Sequence, residues 1–370
     1  MPMNKDQPQI IAFYLPQFYP FPENDEWWGK GFTEWTNVGK AKPLFRGHDQ
    51  PRVPTELGYY DLRLPIVREQ QAEMAREAGV TAFCYWHYWF GNGKRLIADV
   101  FNEVMESGKP DFPFCLGWAN HSWYAKNWNS DGTTTNKILI EQTYPGVEDA
   151  KMHFDFLLKA FRDTRYVKID GKPFFYIYDP DSIPAEYIRL FREWTQEGGF
   201  PDLYLVANIV SPSVDKNEVL KKGFDAVNFQ RLAISFDKNR LKRGWVNYGR
   251  KLKGLLLHRP ANLADYRKVY PELITEEDKE LCVIPSLVPQ WDHTPRSGWN
   301  GALFVHSTPD YFYRHALMAL DAVRDKPVKH RILFLKSWNE WGEGNYMEPD
   351  ITHGRGFIEA LRSAVDAFEK

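Results

Sequence analysis

Short apolar runs alternate with longer segments of helical periodicity along the whole chain. Eight of the short runs are apolar almost without interruption, which is typical of parallel strands that are buried on both faces. These runs lie at 9–18, 80–90, 112–120, 172–179, 203–210, 225–230, 282–292 and 331–341. Apolar residues recur at helical spacing at 64–80, 95–108, 147–162, 184–197, 215–222, 309–325 and 355–369.

Eight strand–helix units predict one α/β fold in particular, a (β/α)₈ or TIM barrel that forms a single domain over residues 1–370. The competing fold is an open doubly wound sheet, which usually has a glycine-rich turn after its first strand. Here that position reads LPQFYPFPENDEWW. Two segments exceed the regular spacing, about 19–63 after the first strand and about 231–281 after the sixth. We expect both to be enlarged loops of the barrel.

In a barrel of this kind, the catalytic residues lie at the C-terminal ends of the strands. Hydrogen-bonding side chains and large aromatic rings collect at these ends, whereas the opposite ends begin with plainer residues such as Gln9 and Val80. This asymmetry predicts a polar, aromatic site at one mouth of the barrel. The strand-end residues that we expect to contact substrate are Gln17, Trp86, His87, Trp118, Asn120, His121, Trp123, Tyr178, Asp179, Trp291 and Asp292.

Aromatic residues make up 16% of the chain and include 14 tryptophans. Flat apolar rings in a wet cleft suit sugars, although a place in the core is an equally good interpretation for any single tryptophan. The chain has 47 lysines and arginines against 49 aspartates and glutamates. This balance gives no reason to expect nucleic acid as a partner.

The last apolar run leads into WNEWGEG, which carries Glu340 and Glu343 three residues apart. In a helical turn this spacing makes the side chains neighbours, about 5–6 Å apart at Cβ. Cleavage of a glycosidic bond needs two carboxyl groups, one as acid and one as base or nucleophile. Neighbouring carboxylates also push their pKa values apart, so that one stays protonated near neutral pH. The pair therefore predicts glycoside chemistry, with a solvated surface turn as the plainer interpretation.

The remaining polar motifs predict no cofactor and no metal. Asp179, Pro180 and Asp181 mimic the Asp-x-Asp of nucleotide-sugar transferases that hold a divalent metal, but no glycine-rich phosphate loop accompanies them. The ten histidines show no metal-ligand spacing. Arg296 lies in a loop that contains Gly and Pro, and it is a candidate for binding an acidic sugar or a phosphate. The alternative is an ion pair with Asp292.

Cysteine usage and apolar runs bear on where the protein works. Cys84, Cys115 and Cys282 are scattered in apolar runs, which indicates free thiols in a reducing compartment. The sequence shows no signal peptide and no apolar run of the roughly 18 residues that span a membrane. We therefore expect a cytoplasmic protein.

The basic segment 238–257 has apolar residues at helical spacing, which indicates either peripheral contact with an anionic membrane or a packed helix with a solvated basic face.

The sequence WNEWGEG followed by EP, at 338–349, resembles the last catalytic strand of glycoside hydrolase family 99. Over nearly its full length, the chain is more similar to the WbsX-like family, which is labelled a glycosyltransferase family of surface-polysaccharide (O-antigen) biosynthesis. The motifs that carry this similarity are FYLPQFYP (13–20), WWGKGFTEWTNV (27–38), YWHYWF (85–90), WANHSW (118–123) and WDHTPR (291–296).

The resemblance implies a (β/α)₈ barrel that acts on glycans. By this similarity, Glu340 matches the residue that deprotonates the sugar 2-hydroxyl and Glu343 matches the general acid, in a retaining mechanism through a 1,2-anhydro sugar. Tyr14 and Tyr178 match tyrosines that contact substrate in family 99. The motif residues that join them as candidates are Glu34, Trp35, Asn339 and Trp341. The two insertions reshape the cleft, so sugar specificity does not transfer.

Three functions remain open at this point. The first is a retaining, endo-acting glycoside hydrolase of a surface or O-antigen-like polysaccharide. The second is a glycosyltransferase or transglycosidase of lipopolysaccharide O-antigen biosynthesis, and the third is a non-catalytic glycan-binding barrel. Each implies an oligosaccharide or polysaccharide as partner.

Overall fold

The computed structural model describes residues 7–128, 134–211, 213–232, 260 and 262–370. Its centre is a sheet of parallel strands that is curled into a nearly closed barrel, which confirms the predicted (β/α)₈ fold. The strands are β1 (Gln9–Tyr14), β2 (Ala82–Trp89), β3 (Phe114–Trp118), β4 (Lys172–Ile177), β5 (Tyr204–Ile209), β6 (Ala226–Phe229), β7 (Val283–Ile284 and Ser286–Leu287) and β8 (Ile332–Leu335).

The barrel closes through its seventh strand. Each strand pairs in parallel with its neighbours, and β1 pairs with both β2 and β8. Pro285 interrupts β7, because proline lacks the N–H group that a ladder of hydrogen bonds needs. The segment before Pro285 pairs with β6 and the segment after it pairs with β8, so the two short segments together complete the barrel.

Helices surround the barrel where the sequence pattern predicts them. Helix α3 begins at Pro65, whose ring presets a helical φ, and ends before Gly79, which has a φ of 89°. The helices are α1 (Pro22–Trp28), α2 (Glu34–Lys40), α3 (Pro65–Ala78), α4 (Asp99–Ser107), α5 (Val147–Phe161), α6 (Ala185–Glu197), α7 (Lys216–Lys221), α8 (Tyr266–Leu273), α9 (Thr294–Ser297), α10 (Pro309–Val323) and α11 (Gly356–Phe368).

Short strands and 3₁₀ turns lie outside the barrel. The predicted eighth strand, 331–341, is too long: β8 ends at Leu335, and the polar residues that follow form a separate hairpin and turn at the mouth. The short strands are Arg95–Leu96, Trp123–Trp128, Thr134–Ile140, Lys168–Ile169, Asn262–Asp265, Ala302–Val305, Asn339–Glu340 and Asn345–Tyr346. The 3₁₀ turns are Glu276–Lys279, Gly298–Asn300, Val328–His330 and Trp341–Glu343.

Aromatic rings fill the barrel below its mouth. Phe13 stacks on Trp86 at 4.8 Å and on Phe334 at 4.7 Å between ring centres, and Tyr176 meets all three rings edge-on. Gly117 on β3 makes room for this layer, since a Cβ atom there would lie 3.2 Å from the Trp86 ring. A ligand therefore meets the side chains above this layer rather than the barrel interior.

The first insertion, 19–63, packs across one side of the mouth. Trp35 of α2 contacts the ring of Trp341 at 5.5 Å, so the insertion lies directly against the turn that follows β8. The described part of the second insertion includes the strand Asn262–Asp265, which pairs in parallel with Ala302–Val305 outside the barrel.

The basic segment 238–257, for which the sequence indicates membrane contact, lies outside the described residues. Within the described ranges, no helix combines the length and the apolar character that a membrane crossing requires. Cys84, Cys115 and Cys282 are free thiols, and the first two are fully buried in the core.

Candidate active site

A hairpin and a 3₁₀ turn follow β8 and position Glu340 and Glu343. The Ser337 hydroxyl accepts a hydrogen bond from the Glu340 amide at 3.0 Å, which fixes the start of the turn. The Asn339 side chain accepts from the Leu15 amide at 2.8 Å and donates to the Leu15 carbonyl at 3.0 Å. Asn339 is fully buried and therefore anchors the hairpin to the end of β1 rather than facing a substrate.

Arg296 links three carboxylates at the mouth. Its Nη1 atom lies 2.6 Å from Oε1 of Glu343 and 3.4 Å from Oε1 of Glu340, and its Nη2 atom lies 2.9 Å from Oε2 of Glu34. The three carboxylate side chains are 4–14% exposed, so these ion pairs are largely screened from water. Charge-assisted hydrogen bonds in such surroundings are stronger than on an open surface.

Asp292, the alternative partner of Arg296, has other contacts. Its Oδ2 atom lies 2.8 Å from Nε2 of His48 and accepts a hydrogen bond from Gln50 at 2.7 Å. Both partners come from the first insertion, so Asp292 ties that insertion to the segment after β7. The alternative interpretation of Arg296, an ion pair with Asp292, is therefore wrong.

The electrostatics of the pair leave one proton on it over a wide pH range. Burial, and next the charge of Glu343, raise the pKa of Glu340 to about 7. Burial also acts to raise the pKa of Glu343, but Arg296 and then His293 outweigh it and lower that pKa to about 2. The raised pKa therefore lies on Glu340 and not on Glu343, the residue that matches the general acid by resemblance, because Arg296 contacts Glu343 more closely than Glu340.

A further buried carboxyl group, that of Glu348, packs behind the turn. Glu348 accepts hydrogen bonds from Trp341 Nε1 and from Gln71 at 2.6 Å, and from Tyr60 at 2.9 Å. Burial raises the pKa of Glu348 to about 7. The Trp341 ring is also stacked on Tyr346 at 3.7 Å. Trp341 is thus a structural residue under the turn, and Trp35 packs on it in the same role.

Three predicted substrate contacts face away from the mouth. Tyr14 donates a hydrogen bond to Gln71 of α3 at 2.6 Å. His87 lies 2.9 Å from His153 of α5, between their Nε2 atoms, and Trp118 packs edge-on against the same imidazole at 4.5 Å. Successive side chains of a strand point to opposite faces. These three therefore belong to the layer between barrel and helices, which corrects their assignment to the mouth.

Two further candidates stabilise loops at the strand ends. The Asn120 side chain donates to the Asp179 carbonyl and accepts from the Asp179 amide, both at 2.8 Å, and so joins the loops after β3 and β4. The Gln17 side chain donates weakly to Asn24 of α1 at 3.4 Å.

The remaining aromatic candidates do lie around the mouth. His121 packs on Tyr178 at 4.8 Å, and Trp123 meets Tyr88 edge-on at 5.2 Å. Burial, followed by the charges of Glu343 and Glu340, raises the pKa of Tyr178 to about 12. Those charges act on Tyr178 because its phenol lies near the pair.

Sequence reasoning missed Tyr88, His293 and Lys336. Burial raises the pKa of Tyr88, and the neighbouring glutamates raise it further. Tyr88 shares a face of β2 with Trp86, two residues earlier, and this period of two is a usable signal. His293 Nε2 lies 3.5 Å from Oε1 of Glu343. No sequence pattern marks His293 or Lys336, since both lie where regular structure ends.

Gly342, between the two glutamates, gives a test of this packing. A Cβ atom at Gly342 would lie 1.9 Å from Oε2 of Glu34 and 3.0 Å from Nε of Arg296. We expect Gly342→Ala to push the Glu34 carboxylate off Arg296 and to lower the free energy of unfolding by about 1–3 kcal/mol, as overpacking does. Urea unfolding measures this.

Gly39→Ala is the matched control for that substitution. Gly39 lies in α2, the helix that carries Glu34, and a Cβ atom there meets nothing within 4 Å. Alanine in a helix is favoured over glycine by up to about 1 kcal/mol, so this variant should be at least as stable as the wild type. Equal stability of the two variants would contradict the close packing of Glu34 on Gly342.

In the described part of the chain, no group of three or more His, Cys, Asp or Glu side chains is arranged to hold a metal ion.

Comparison with solved structures supports the fold. A family 99 (GH99) endo-α-mannosidase from Bacteroides thetaiotaomicron superposes with a TM-score of 0.59 at 15% identity, covering 98% of this chain and 97% of that one. A protein described as glycoside hydrolase-like superposes with a TM-score of 0.57 at 15% identity, covering 97% and 94%. At this identity the likeness shows a shared TIM-barrel fold.

Sequence relatives identify the family. The chain is 33% identical over 360 residues to the uncharacterized protein WxcX of two strains of Xanthomonas campestris pv. campestris, which covers 96% of this chain. The chain spans about half the length of these curated relatives, 49% of each. The family model described as glycosyltransferase WbsX matches residues 10–361. The chain therefore belongs to the WbsX glycosyltransferase family.

Proposed function

We propose that the protein is a retaining, endo-acting glycoside hydrolase of a surface or O-antigen-like polysaccharide, with Glu340 and Glu343 as its catalytic residues. One observation carries the proposal: two mostly buried carboxyl groups at the mouth of a TIM barrel contact the same nitrogen of Arg296, and their surroundings move their pKa values apart. Glycosidic cleavage needs this combination, because one carboxyl group must protonate the leaving oxygen while the other acts as base or nucleophile.

The spacing of the pair supports a retaining outcome. Oε1 of Glu340 and Oε1 of Glu343 lie 3.4 and 2.6 Å from the same Arg296 nitrogen, so they are no more than about 6 Å apart. Inverting enzymes separate their carboxyl groups by about 6.5–9.5 Å to leave room for a water molecule, whereas retaining enzymes hold them at about 5–5.5 Å.

We assign the base to Glu340 and the general acid to Glu343. In the first step Glu340 removes the proton of the sugar 2-hydroxyl, O2 bonds to C1, and Glu343 protonates the departing glycosidic oxygen. The 1,2-anhydro sugar that results is opened by water at C1, with Glu343 taking a proton from water and Glu340 returning one to O2. Two displacements at C1 give net retention.

The raised pKa lies on Glu340 and the lowered pKa on Glu343, so this assignment requires the proton to move to Glu343 when substrate binds. Arg296 keeps the free-energy cost of this proton transfer small, because its Nη1 atom contacts both glutamates at distances that differ by less than 1 Å. A guanidinium that moves toward Glu340 stabilises the carboxylate there and leaves the proton to Glu343.

The aromatic side chains around the mouth support a long binding cleft. His121 and Tyr178 lie beyond β3 and β4, Trp123 lies on the side of β2, and Trp291 follows β7. Rings on several sides of the pair suit several sugar units, which favours cleavage within a chain.

The second candidate function is a glycosyltransferase or transglycosidase, which the description of the matching family favours. A transferase would use the same mouth but would need an activated donor sugar and an acceptor glycan. A glycan-binding barrel without activity is the third.

Cleavage in ¹⁸O-labelled water separates these candidates. Purified bacterial surface polysaccharides are incubated with the protein without any nucleotide sugar. We expect new reducing ends that carry one ¹⁸O atom at the anomeric carbon, and NMR of fresh product should show the anomer of the bond that was cleaved. Product formed only with a nucleotide-sugar donor would favour the transferase, and binding without any product would favour the binding protein.

A further inference from the structure

Lys336 directly follows β8 and lies within the mouth of the barrel. The Phe334 ring packs inside the barrel against Phe13, and side chains two residues apart on an extended strand point to the same face. The Lys336 amide continues the strand pairing by donating to the Leu287 carbonyl at 2.9 Å. The side chain therefore rises from the interior face and is 7% exposed.

The ammonium group of Lys336 has no carboxylate partner in the described part of the chain. The ammonium group lies over the face of the Trp291 ring, with Nζ 5.3 Å from the ring centre. Two other buried cations do have oxygen partners: Lys326 donates to the Val283 carbonyl at 2.6 Å, and Arg231 pairs with Asp278 at 2.7 Å. A buried charge without an oxygen partner is unfavourable, and such exceptions are expected at functional sites.

The glutamates of the mouth do not satisfy Lys336. Its charge reaches both Glu340 and Glu343, where it acts to lower their pKa values, but neither lies within ion-pair distance of Nζ. These two glutamates and Glu34 instead share Arg296. The guanidinium group of Arg296 is thus occupied by carboxylates of the protein, whereas the N–H donors of Lys336 are available to a ligand.

We propose that Lys336 and Trp291 form a subsite for an anionic group of the substrate, so that the enzyme acts on acidic glycans. The group is a carboxylate or a phosphate: the ammonium donates charge-assisted hydrogen bonds to its oxygens, and the Trp291 ring packs against the sugar that carries it. The inference rests on the proposed function for the reaction but is tested by binding alone.

The test compares matched acidic and neutral sugars. Binding of glucuronate, galacturonate and mannose 6-phosphate is measured by NMR titration at pH 7 beside glucose, galactose and mannose, with uridine diphosphate as a separate arm. We expect at least one acidic sugar to bind about tenfold more tightly than its neutral partner. About 0.5 M salt should weaken this preference.

Variants assign the preference to Lys336. Lys336→Gln should abolish it and Lys336→Arg should keep most of it. Lys172→Gln, the same change at the first residue of β4 and thus at the opposite end of the barrel, should leave it unchanged. Circular dichroism checks that each variant is folded, and if Lys336→Gln fails to fold, the arginine variant and the wild-type comparison still decide.

Two results would overturn the subsite: no acidic probe binds better than its neutral partner to the wild type, or Lys336→Gln keeps the preference. If uridine diphosphate is the ligand whose binding depends most on Lys336, the anion belongs to a nucleotide donor rather than to an acidic glycan. A failure of the catalytic proposal is distinct, because it would leave turnover intact in Glu340→Gln and Glu343→Gln without changing the binding preference.

Discussion

Replacing either Glu340 or Glu343 by glutamine should lower the rate of glycan cleavage by roughly 10²–10⁴-fold, the usual contribution of general acid–base catalysis. Glutamine keeps the shape of the side chain and can still accept a hydrogen bond from Arg296, but it neither takes up nor releases a proton at these pH values. Initial rates on a cleaved polysaccharide measure the effect. Near-wild-type rates in both variants would exclude the pair as catalytic.

An activated aryl glycoside distinguishes the two roles. Its leaving group departs without protonation, so Glu343→Gln should retain far more activity on it than on a natural glycan, whereas Glu340→Gln should be poor on both. The opposite ranking would assign the acid to Glu340, whose pKa is the raised one of the pair. Glu359→Gln, on the exposed side of α11, is the matched control and should behave as wild type.

The pH dependence follows from the same pair. The pair carries one proton at pH values between the lowered pKa of Glu343 and the raised pKa of Glu340, which is about 7. Activity should therefore fall as the pH rises above about 7, because the acid is then lost. In Glu343→Gln the neighbouring negative charge is gone, so the pKa of Glu340 should fall, and residual activity on the aryl glycoside should persist to lower pH.

Arg296→Met should be the most destabilising substitution at the mouth, lowering the free energy of unfolding by about 3–5 kcal/mol at neutral pH, as removal of one partner from a buried ion pair does. It removes from Glu34 and Glu343 the guanidinium group that both carboxylates contact. Glu343 has a folded pKa below its ordinary value of 4.5, so its pairing stabilises the protein above that pH and is lost as the pH falls toward about 2. The difference between variant and wild type should therefore shrink in acid.

Urea unfolding at pH 7 and pH 3 measures both effects. Arg267→Met is the control, because Arg267 pairs with Asp265 at the surface with its side chain 48% exposed, and such pairs contribute about 1 kcal/mol or less. If Arg296→Met were no more destabilising than this control, the three carboxylates would not depend on Arg296. Arg296→Lys should recover part of the loss, since a lysine keeps the charge but not the fork of donors.

The sequence predicted the barrel well because its signals are local. Each strand is a run of apolar residues, and α3 has its own start and stop residues in Pro65 and Gly79. The glutamate pair was also predictable, since both members lie in one short motif. These features depend on neighbours in the sequence, and the structure has them in the predicted order, with the end of β8 as the largest difference.

It was harder to predict whether a strand residue points into the barrel or toward the helices. Strands that are buried on both sides are apolar at every position, so the sequence carries no alternation that tells the interior from the helix side. His87 and Trp118 were assigned to the mouth for this reason, although both face the helices. Trp86, the residue before His87 on β2, does face the barrel interior. Which of the two glutamates has the raised pKa was not predictable for another reason, because it depends on Arg296, which reaches the pair from a distant loop.

The contact of Glu34 with Arg296 across the space above Gly342 has a consequence for how this barrel can be redesigned. Glu34 belongs to the first insertion, Arg296 to the segment after β7, and the two glutamates to the turn after β8. Because these three segments contact one another through Arg296, they have to be exchanged together. A chimaera that borrows this loop from a relative without an acid at that position would strip one carboxylate from Arg296 and strengthen its hold on Glu343. Grafting the loop to change sugar preference would thereby also change the pKa values of Glu340 and Glu343.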